Sequence, residues 1–218
     1  MNTIPNEVFW LWLSGLVFFV MTAIFLAGPF RRDKSELMQG FLGFLGGIAW
    51  FHIWLGASMY WGSDFLAILA SLGAVTGSAF LLKFPLLVIA NEQTRKMIFY
   101  IALAIGWVLI AWLLLTSAPV MKAMMAGAIY MIVVSGGLSG FYIVWRGFHL
   151  QDPALKIKCI GGGCSVVLCC FFTHLIVLTI GMTIIAKTFM VLTPISMIGA
   201  VLIARKMEER KGISPIQV

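Results

Sequence analysis

Residues 65–90 read FLAILASLGAVTGSAFLLKFPLLVIA, an apolar stretch whose only charged residue is Lys83. A helix needs about 20 apolar residues to cross the hydrocarbon core of a bilayer, so this stretch predicts a membrane-spanning helix. A charged side chain inside such a span costs roughly 2.5–3.5 kcal/mol on insertion scales, and it therefore marks a candidate functional site. Lys83 is the residue on which our prediction of function depends.

The rest of the chain has the same apolar character. Of its 218 residues, 61% are hydrophobic and 11% are charged, whereas a soluble domain has about 25% charged residues. Apolar stretches that predict seven spans lie at 8–28, 39–60, 65–90, 98–117, 123–146, 159–183 and 187–204. The sequence therefore predicts an all-α membrane protein, a seven-helix bundle that occupies residues 1–218 as one domain.

Basic residues predict the orientation of this bundle. They follow the odd-numbered spans at Arg31, Arg32, Lys34, Arg95, Lys96, Arg146, Lys156, Lys158, Arg205, Lys206, Arg210 and Lys211. The opposite side carries Lys122 and Lys187. By the positive-inside rule, the N-terminus is outside and the C-terminus is inside. We expect a multi-pass protein of the cell membrane, the inner membrane of a prokaryote, and we assign the net charge of +7 to topology rather than to nucleic-acid binding.

Three segments, in the correct order, resemble the microbial (type 1) rhodopsins. Residues 47–61, GIAWFHIWLGASMYW, carry His52 at the position of a family histidine. Residues 78–90, SAFLLKFPLLVIA, carry Phe80 where the family has a tryptophan over retinal. Residues 189–209, FMVLTPISMIGAVLIARKMEE, resemble the last helix of the family. The resemblance implies a seven-helix bundle around a retinal that is bound to a lysine as a Schiff base.

The departures from this family are as informative as the matches. Met197 takes the position of the retinal lysine, and Thr193 takes that of the aspartate one turn earlier. Ala79 takes the position of the proton acceptor on span three. The resemblance therefore does not imply a conventional proton pump.

We hypothesise that the Schiff base lysine has moved from span seven to Lys83 on span three. Ala79 and Lys83 are four residues apart, and such residues share a helix face. A desolvated lysine is a nucleophile for carbonyl groups, so we expect covalent retinal on Lys83. The predicted retinal pocket consists of Lys83, His52, Ala79, Phe80, Thr193, Met197, Gly136 and Gly137.

The predicted Schiff base has no carboxylate to stabilise a positive charge. Every acidic residue lies outside the interiors of the predicted spans. A buried charge without a partner is costly, so we expect an unprotonated Schiff base that absorbs in the near-UV. The predicted function is a light-responsive photoreceptor or sensor, without enzymatic activity and without a metal site. The family resemblance also implies a homo-oligomer, and a sensor implies a membrane signalling partner.

Several alternatives remain open at this point. The chain is alternatively a retinal-free homologue that serves as a structural or assembly subunit of a membrane complex. Lys83 is alternatively a lysine that is hydrogen-bonded to the backbone or to a partner subunit. Its side chain would not reach the interface unaided, because Asn91 is eight residues, roughly 12 Å, away along the helix. His52 and His174, on predicted spans two and six, are alternatively the two axial ligands of a haem, the minimum set for bis-histidine ligation. Ser139 lies in GLSG, a rhomboid-like motif that we interpret as small-residue packing. Glycine inside the spans predicts close helix packing or room for a ligand.

Overall fold

The protein is described by a computed structural model that covers residues 6–28, 36–88, 91–116 and 120–211. Side chains are described within these ranges up to residue 198, except at residues 37, 114, 120, 154 and 183. The basic residues Arg31, Arg32 and Lys34, and the span ends at 89–90 and 117, lie outside the described residues. The side chains of the C-terminal basic cluster at 205–211 also lie outside them.

Helices make up nearly all of the described chain, and no strand occurs in it. The helices are α1 Asn6–Ala27, α2 Glu36–Trp61, α3 Asp64–Leu81, α4 Lys83–Leu86, α5 Glu92–Leu115, α6 Val120–Met131, a π-helical segment Ile132–Gly140, α7 Phe141–Phe148, α8 Pro153–Thr179 and α9 Thr183–Lys211. Within the described residues, six helical stretches are long and apolar enough to cross a membrane, and the shorter apolar stretch Ile184–Ile198 lies in α9. The prediction of an all-α, multi-pass membrane protein is confirmed.

Local sequence signals place several helix ends away from the predicted boundaries. α5 begins at Glu92 rather than at residue 98, because Asn91 Oδ1 accepts hydrogen bonds from the backbone N–H groups of Gln93 and Thr94, at 2.9 and 3.4 Å. α8 begins at Pro153 rather than at residue 159, since proline is favoured in the first turn of a helix. Gly181, which has φ +93°, terminates this helix four residues before the predicted end.

The third predicted span is interrupted at Leu82. The N–H of Leu82 bonds to the carbonyl of Ala79, and the N–H of Leu86 bonds to the carbonyl of Leu82. Pro85 has no N–H to donate into the helix, which favours a break just before it. Lys83 therefore opens the short helix α4 rather than continuing α3.

Glycine allows the two most closely packed helices, α2 and α3, to approach each other. A Cβ atom on Gly77 would lie 2.9 Å from the Cα of Gly47, and one on Gly47 would lie 2.7 Å from the carbonyl oxygen of Gly73. Real Cβ atoms do not come so close to backbone atoms, so larger residues at these positions would separate the helices. Close packing therefore accounts for Gly47 and Gly77.

The glycine-rich middle of the fifth predicted span is π-helical. Its segment Ile132–Gly140 contains Ser139, whose buried hydroxyl donates a hydrogen bond to the carbonyl of Val134 at 3.1 Å. A Cβ atom on Gly140 would lie 3.3 Å from the carbonyl oxygen of Gly163, so this segment packs closely on α8. The contacts of Ser139 and Gly140 agree with the interpretation of GLSG as a packing motif.

Six of the apolar stretches surround a common core, and α5 lies outside them. α1 packs on α2 and α9, α2 on α3, α3 on α6, and the π-helical segment and α7 on α8. α5 contacts mainly α3 and α6. Only 11% of its apolar window is buried, against 61% for those of α2 and α3. The structure therefore places the fourth predicted span at the periphery.

Candidate functional site: the Lys83 cavity and the glycine slot

The amine of Lys83 points toward the beginning of α2. Its Nζ donates a hydrogen bond to Oε1 of Gln39 at 2.9 Å and lies 5.4 and 5.5 Å from the ring centres of Phe80 and Phe99. The stem passes Gly40, where an added Cβ atom would lie 3.4 Å from Lys83 Cβ. Lys83 thus bonds to a side chain of a neighbouring helix, a partner that the sequence did not predict. An amide and two aromatic faces compensate part of the cost of its burial.

This amine lies in a cavity of about 300 Å³, which we call the Lys83 cavity. The cavity is lined by Glu36, Gln39, Lys83, Leu86, Glu92, Arg95, Lys96, Phe99 and Tyr100. Arg95 Nη2 lies 3.7 Å from Glu36 Oε1, and Lys96 Nζ lies 2.6 Å from Glu92 Oε1. The salt bridges that the described residues form do not include Lys83. Three cations and two carboxylates line the cavity, so one positive charge is in excess.

Two carboxylates share the cavity with Lys83. Glu36 and Glu92 lie at the beginnings of α2 and α5, outside the predicted span interiors as the sequence indicates, and both line this cavity. They meet Lys83 there because its amine points toward the helix ends. An uncharged Schiff base at Lys83 stays a prediction.

A second cavity is lined by α3 and by the same helices α2 and α5 that line the first, and we call it the glycine slot. It has a volume of about 390 Å³ and is lined by Gly43, Gly46, Gly47, Trp50, Leu69, Leu72, Gly73, Thr76 and Trp107. Its two indoles are held in place, because Trp50 Nε1 donates to the carbonyl of Leu69 at 2.8 Å and Trp107 Nε1 donates to Thr76 Oγ1 at 3.2 Å. The surface of the slot is apolar. Some of its glycines allow α2 and α3 to pack closely, and the lack of side chains at these positions leaves the space of the slot open.

Of the predicted pocket, Lys83 and Phe80 lie together in the cleft between α2, α3 and α5. Phe80 packs against Phe99 of α5, with ring centres 5.4 Å apart. Ala79 is fully buried on α3, four residues before Lys83, and its contact with a ligand of Lys83 stays a prediction. On α3 it is Leu81 that belongs to the core cluster around Met197.

His52 lies elsewhere, in the core beside α1. His52 comes twelve residues, roughly 18 Å along α2, after Gly40, which the Lys83 stem passes. The Nδ1 atom of His52 shares a hydrogen bond with Ser14 Oγ at 3.0 Å. The rings of Phe18 and Phe51 pack against the imidazole, each with its centre 5.6 Å away. Its buried Nε2 has no hydrogen-bond partner within the part of the chain that the structure describes.

The remaining predicted residues lie on the π-helical segment and α9. Met197 is buried in the same core cluster as Cys170, and a Cβ atom on Gly136 would lie 3.5 Å from Cys170 Cβ. Thr193 donates its hydroxyl to the carbonyl of Phe189 at 2.7 Å. The nearest atom to a Cβ on Gly137 belongs to its own helix. The structure does not bring these residues together with Lys83, and their contact with retinal stays a prediction.

Sequence reasoning missed the neighbours of Lys83. Gln39, the first residue of the second predicted span, is a polar amide at the edge of an apolar run, and this was an available signal. Phe99 and Arg95 carried no comparable signal, because their place beside Lys83 depends on how α5 packs on α3.

Comparisons with known proteins identify no family for this chain. Protein-family models, characterised proteins and solved structures provide no match to it. The resemblance to microbial rhodopsins therefore rests on the three sequence segments quoted above.

Proposed function

We propose that the chain crosses the membrane seven times, with the N-terminus outside and the C-terminus inside. Six long apolar helical stretches and the shorter Ile184–Ile198 support this count. The charges of Arg95, Lys96, Lys156 and Lys158, which follow odd-numbered predicted spans, support this orientation. The Lys83 cavity then opens toward the cytoplasmic side.

In this membrane the protein is a receptor that takes an amphiphilic ligand from the bilayer and anchors its polar end at Lys83. One observation carries this proposal: α2 and α5 line both a cavity of about 300 Å³ that holds the Lys83 amine and an apolar slot of about 390 Å³ farther along the same helices. Cavities of about 300–1,000 Å³ that combine apolar walls with few polar groups are typical of small-molecule sites. A half-buried lysine in a membrane span costs free energy, and such residues usually mark a functional site. A ligand that binds the amine would account for its presence there.

The direct test is to identify small molecules that purify with the protein. Wild type, Lys83→Ala and Lys158→Ala are purified in mild detergent, extracted with organic solvent and analysed by mass spectrometry. Lys158 is the matched control, a lysine of the same predicted membrane side that lies on α8 outside the cavity. We expect a compound in near-stoichiometric amount with wild type and control that is lost from Lys83→Ala. Identical extracts from all three proteins would contradict the proposal.

Retinal is a second candidate for this ligand, and it would make the protein light-responsive. It is supported by the sequence resemblance and by Phe80 and Phe99, whose aromatic faces flank the amine as they would flank a polyene. Glu36, in the same cavity, would serve as the counterion of a protonated Schiff base. The absorption maximum would then distinguish the near-UV form expected from sequence from a visible form that Glu36 stabilises.

The retinal proposal is tested by expression with all-trans-retinal. We expect an absorption band that Lys83→Ala removes and Lys158→Ala retains. After borohydride reduction, peptide mass spectrometry should place a retinyl group on Lys83. A band without an adduct on Lys83 would disprove the relocated Schiff base, and the absence of any band would remove retinal from the account.

A structural subunit remains a third candidate, and the exposed face of α5 favours it. Ile101, Ile105, Val108 and Trp112 expose about half or more of their surface on this helix. Cross-linking in native membranes with a photoreactive residue at Ile105 tests it, with position 133, on the exposed side of the π-helical segment, as the control. A stoichiometric adduct specific to Ile105 supports an assembly role, and its mass distinguishes a second copy of the chain from another protein.

A further inference from the structure

The Lys83 cavity and the glycine slot follow one another along the same cleft. On α2, the cavity residues Glu36 and Gln39 come about two turns and one turn before the slot residue Gly43. On α5, Phe99 of the cavity comes eight residues, roughly 12 Å, before Trp107 of the slot. The chain direction is reversed on the third wall, where the slot residues of α3 come before Lys83. One cleft thus has a charged end and an apolar interior.

A pair of aromatic rings separates the two parts of this cleft. Phe80 packs onto Gly43, which lines the slot, and its ring meets that of Phe99, which lines the cavity. α5 forms the outer wall and is mostly exposed on its membrane side. A molecule in both parts must therefore have a polar head and a slender apolar tail that passes these rings on the membrane side.

The charge of the cavity selects the head. Glu92 pairs with Lys96 at 2.6 Å, whereas Glu36 lies 3.7 Å from Arg95 and also interacts electrostatically with Lys83, whose amine donates its hydrogen bond to the neutral Gln39 amide. One carboxylate thus faces two cations. The excess charge is positive, and lysine and arginine bind phosphate through charge-assisted hydrogen bonds. Basic pockets between transmembrane helices on the cytoplasmic side are typical sites for anionic lipid headgroups.

We infer that the ligand of the Lys83 cavity is an anionic phospholipid, whose phosphate binds Lys83 and whose acyl chain fills the glycine slot. This inference rests on the proposed function, because it names the class of ligand for the same site. It explains why the same helices line the charged cavity and the apolar slot: one amphiphile neutralises the first and fills the second.

The test compares two lipids that differ only in headgroup. Phosphatidylglycerol and phosphatidylcholine with identical acyl chains are titrated into delipidated protein, and bound lipid is counted by native mass spectrometry. Both lipids carry the phosphate, but the excess positive charge of the cavity repels the choline cation of phosphatidylcholine, so we expect phosphatidylglycerol to bind about tenfold more tightly. Lys83→Gln should remove this preference, Lys83→Arg should keep most of it, and Lys158→Gln should leave it unchanged. Circular dichroism and thermal unfolding confirm that each variant is folded.

The acyl chain is tested separately at Leu72, which lines the slot. Leu72→Phe adds volume to the side chain and should weaken the binding of both lipids about tenfold. Leu72→Met conserves the volume and should leave the binding of both lipids unchanged. Millimolar inorganic phosphate should not displace the lipid, because it lacks the tail.

Three results would overturn the inference: equal binding of the two lipids to wild type, equal losses from Lys83→Gln and Lys158→Gln, or competition by phosphate alone. If a different compound purifies in a Lys83-dependent manner, this inference fails and the proposed receptor stands. If no compound depends on Lys83, both fail.

Discussion

Among single residues, Lys83 and His52 illustrate what one polar side chain in an apolar run reveals. The position of Lys83 inside a span singles it out from sequence alone. Its partners do not follow from sequence, because Gln39 and Phe99 come to it from other helices. The resemblance grouped Lys83 with His52, but their surroundings are separated by several helical turns. A candidate functional residue can therefore be recognised from its own stretch of sequence, whereas its contacts depend on how the helices pack.

Ser14→Ala should destabilise the protein through His52. The change leaves Nδ1 of a fully buried ring without its 3.0 Å partner, and an unsatisfied buried group costs about 1–3 kcal/mol. For a chain of this size, thermal unfolding in detergent should shift down by about 2–4 °C per kcal/mol. Thr22→Ala is the control on the same helix. In the described structure the Thr22 hydroxyl bonds only to the backbone carbonyl of Phe18, one turn earlier on α1, and to no side chain. An equal shift for both variants would contradict a special role for the Ser14–His52 pair.

At the scale of the helices, the sequence predicts that a helix is present better than it predicts the residues at which the helix begins and ends. The apolar runs locate every long helix, but the capping residues Asn91 and Pro153 extend two of them beyond the apolar residues. The third span was predicted without an interruption, and the structure places a break at Leu82, because Pro85 has no N–H to donate into the helix. Glycine patterns left packing and ligand room open, and the structure shows both in the same helix, since Gly47 contacts α3 and also lines the slot.

Gly47→Ala and Gly162→Ala should change stability in opposite directions. A Cβ atom at Gly47 would collide with the backbone of α3, so we expect a loss of about 1–3 kcal/mol. At Gly162 no atom lies within 4 Å of an added Cβ, so alanine should add about 0.5–1 kcal/mol through its higher helix propensity. Thermal unfolding of both variants measures the difference. A stable Gly47→Ala variant would show that α2 and α3 do not pack as described.

For the whole molecule, composition alone predicts an all-α, multi-pass membrane protein. It does not predict which helix lies outside the core, because the fourth predicted span is as apolar as its neighbours: the mean hydropathy of its window is 2.0, against 2.1 for that of the third. Peripheral position depends on shape complementarity, and α5 lacks the glycine seam that joins α2 to α3.

The proposed orientation predicts opposite labelling of two lysine positions. In a background without its four cysteines, Lys158→Cys and Lys187→Cys are introduced and intact cells are treated with a membrane-impermeant maleimide. Lys187→Cys should be labelled from outside, whereas Lys158→Cys should react only after lysis. Labelling of Lys158→Cys in intact cells would reverse the proposed topology.

The unequal packing of α2, α3 and α5 has a mechanical consequence. The backbone contact at Gly47 and Gly77 holds α2 and α3 closely together, while α5 is held by a smaller contact with α3 and α6. A molecule that widens the cleft therefore displaces α5 rather than parting α2 from α3. If the proposed ligand binds, its occupancy would be transmitted as a displacement of α5, whose exposed face is available to a neighbouring molecule in the bilayer.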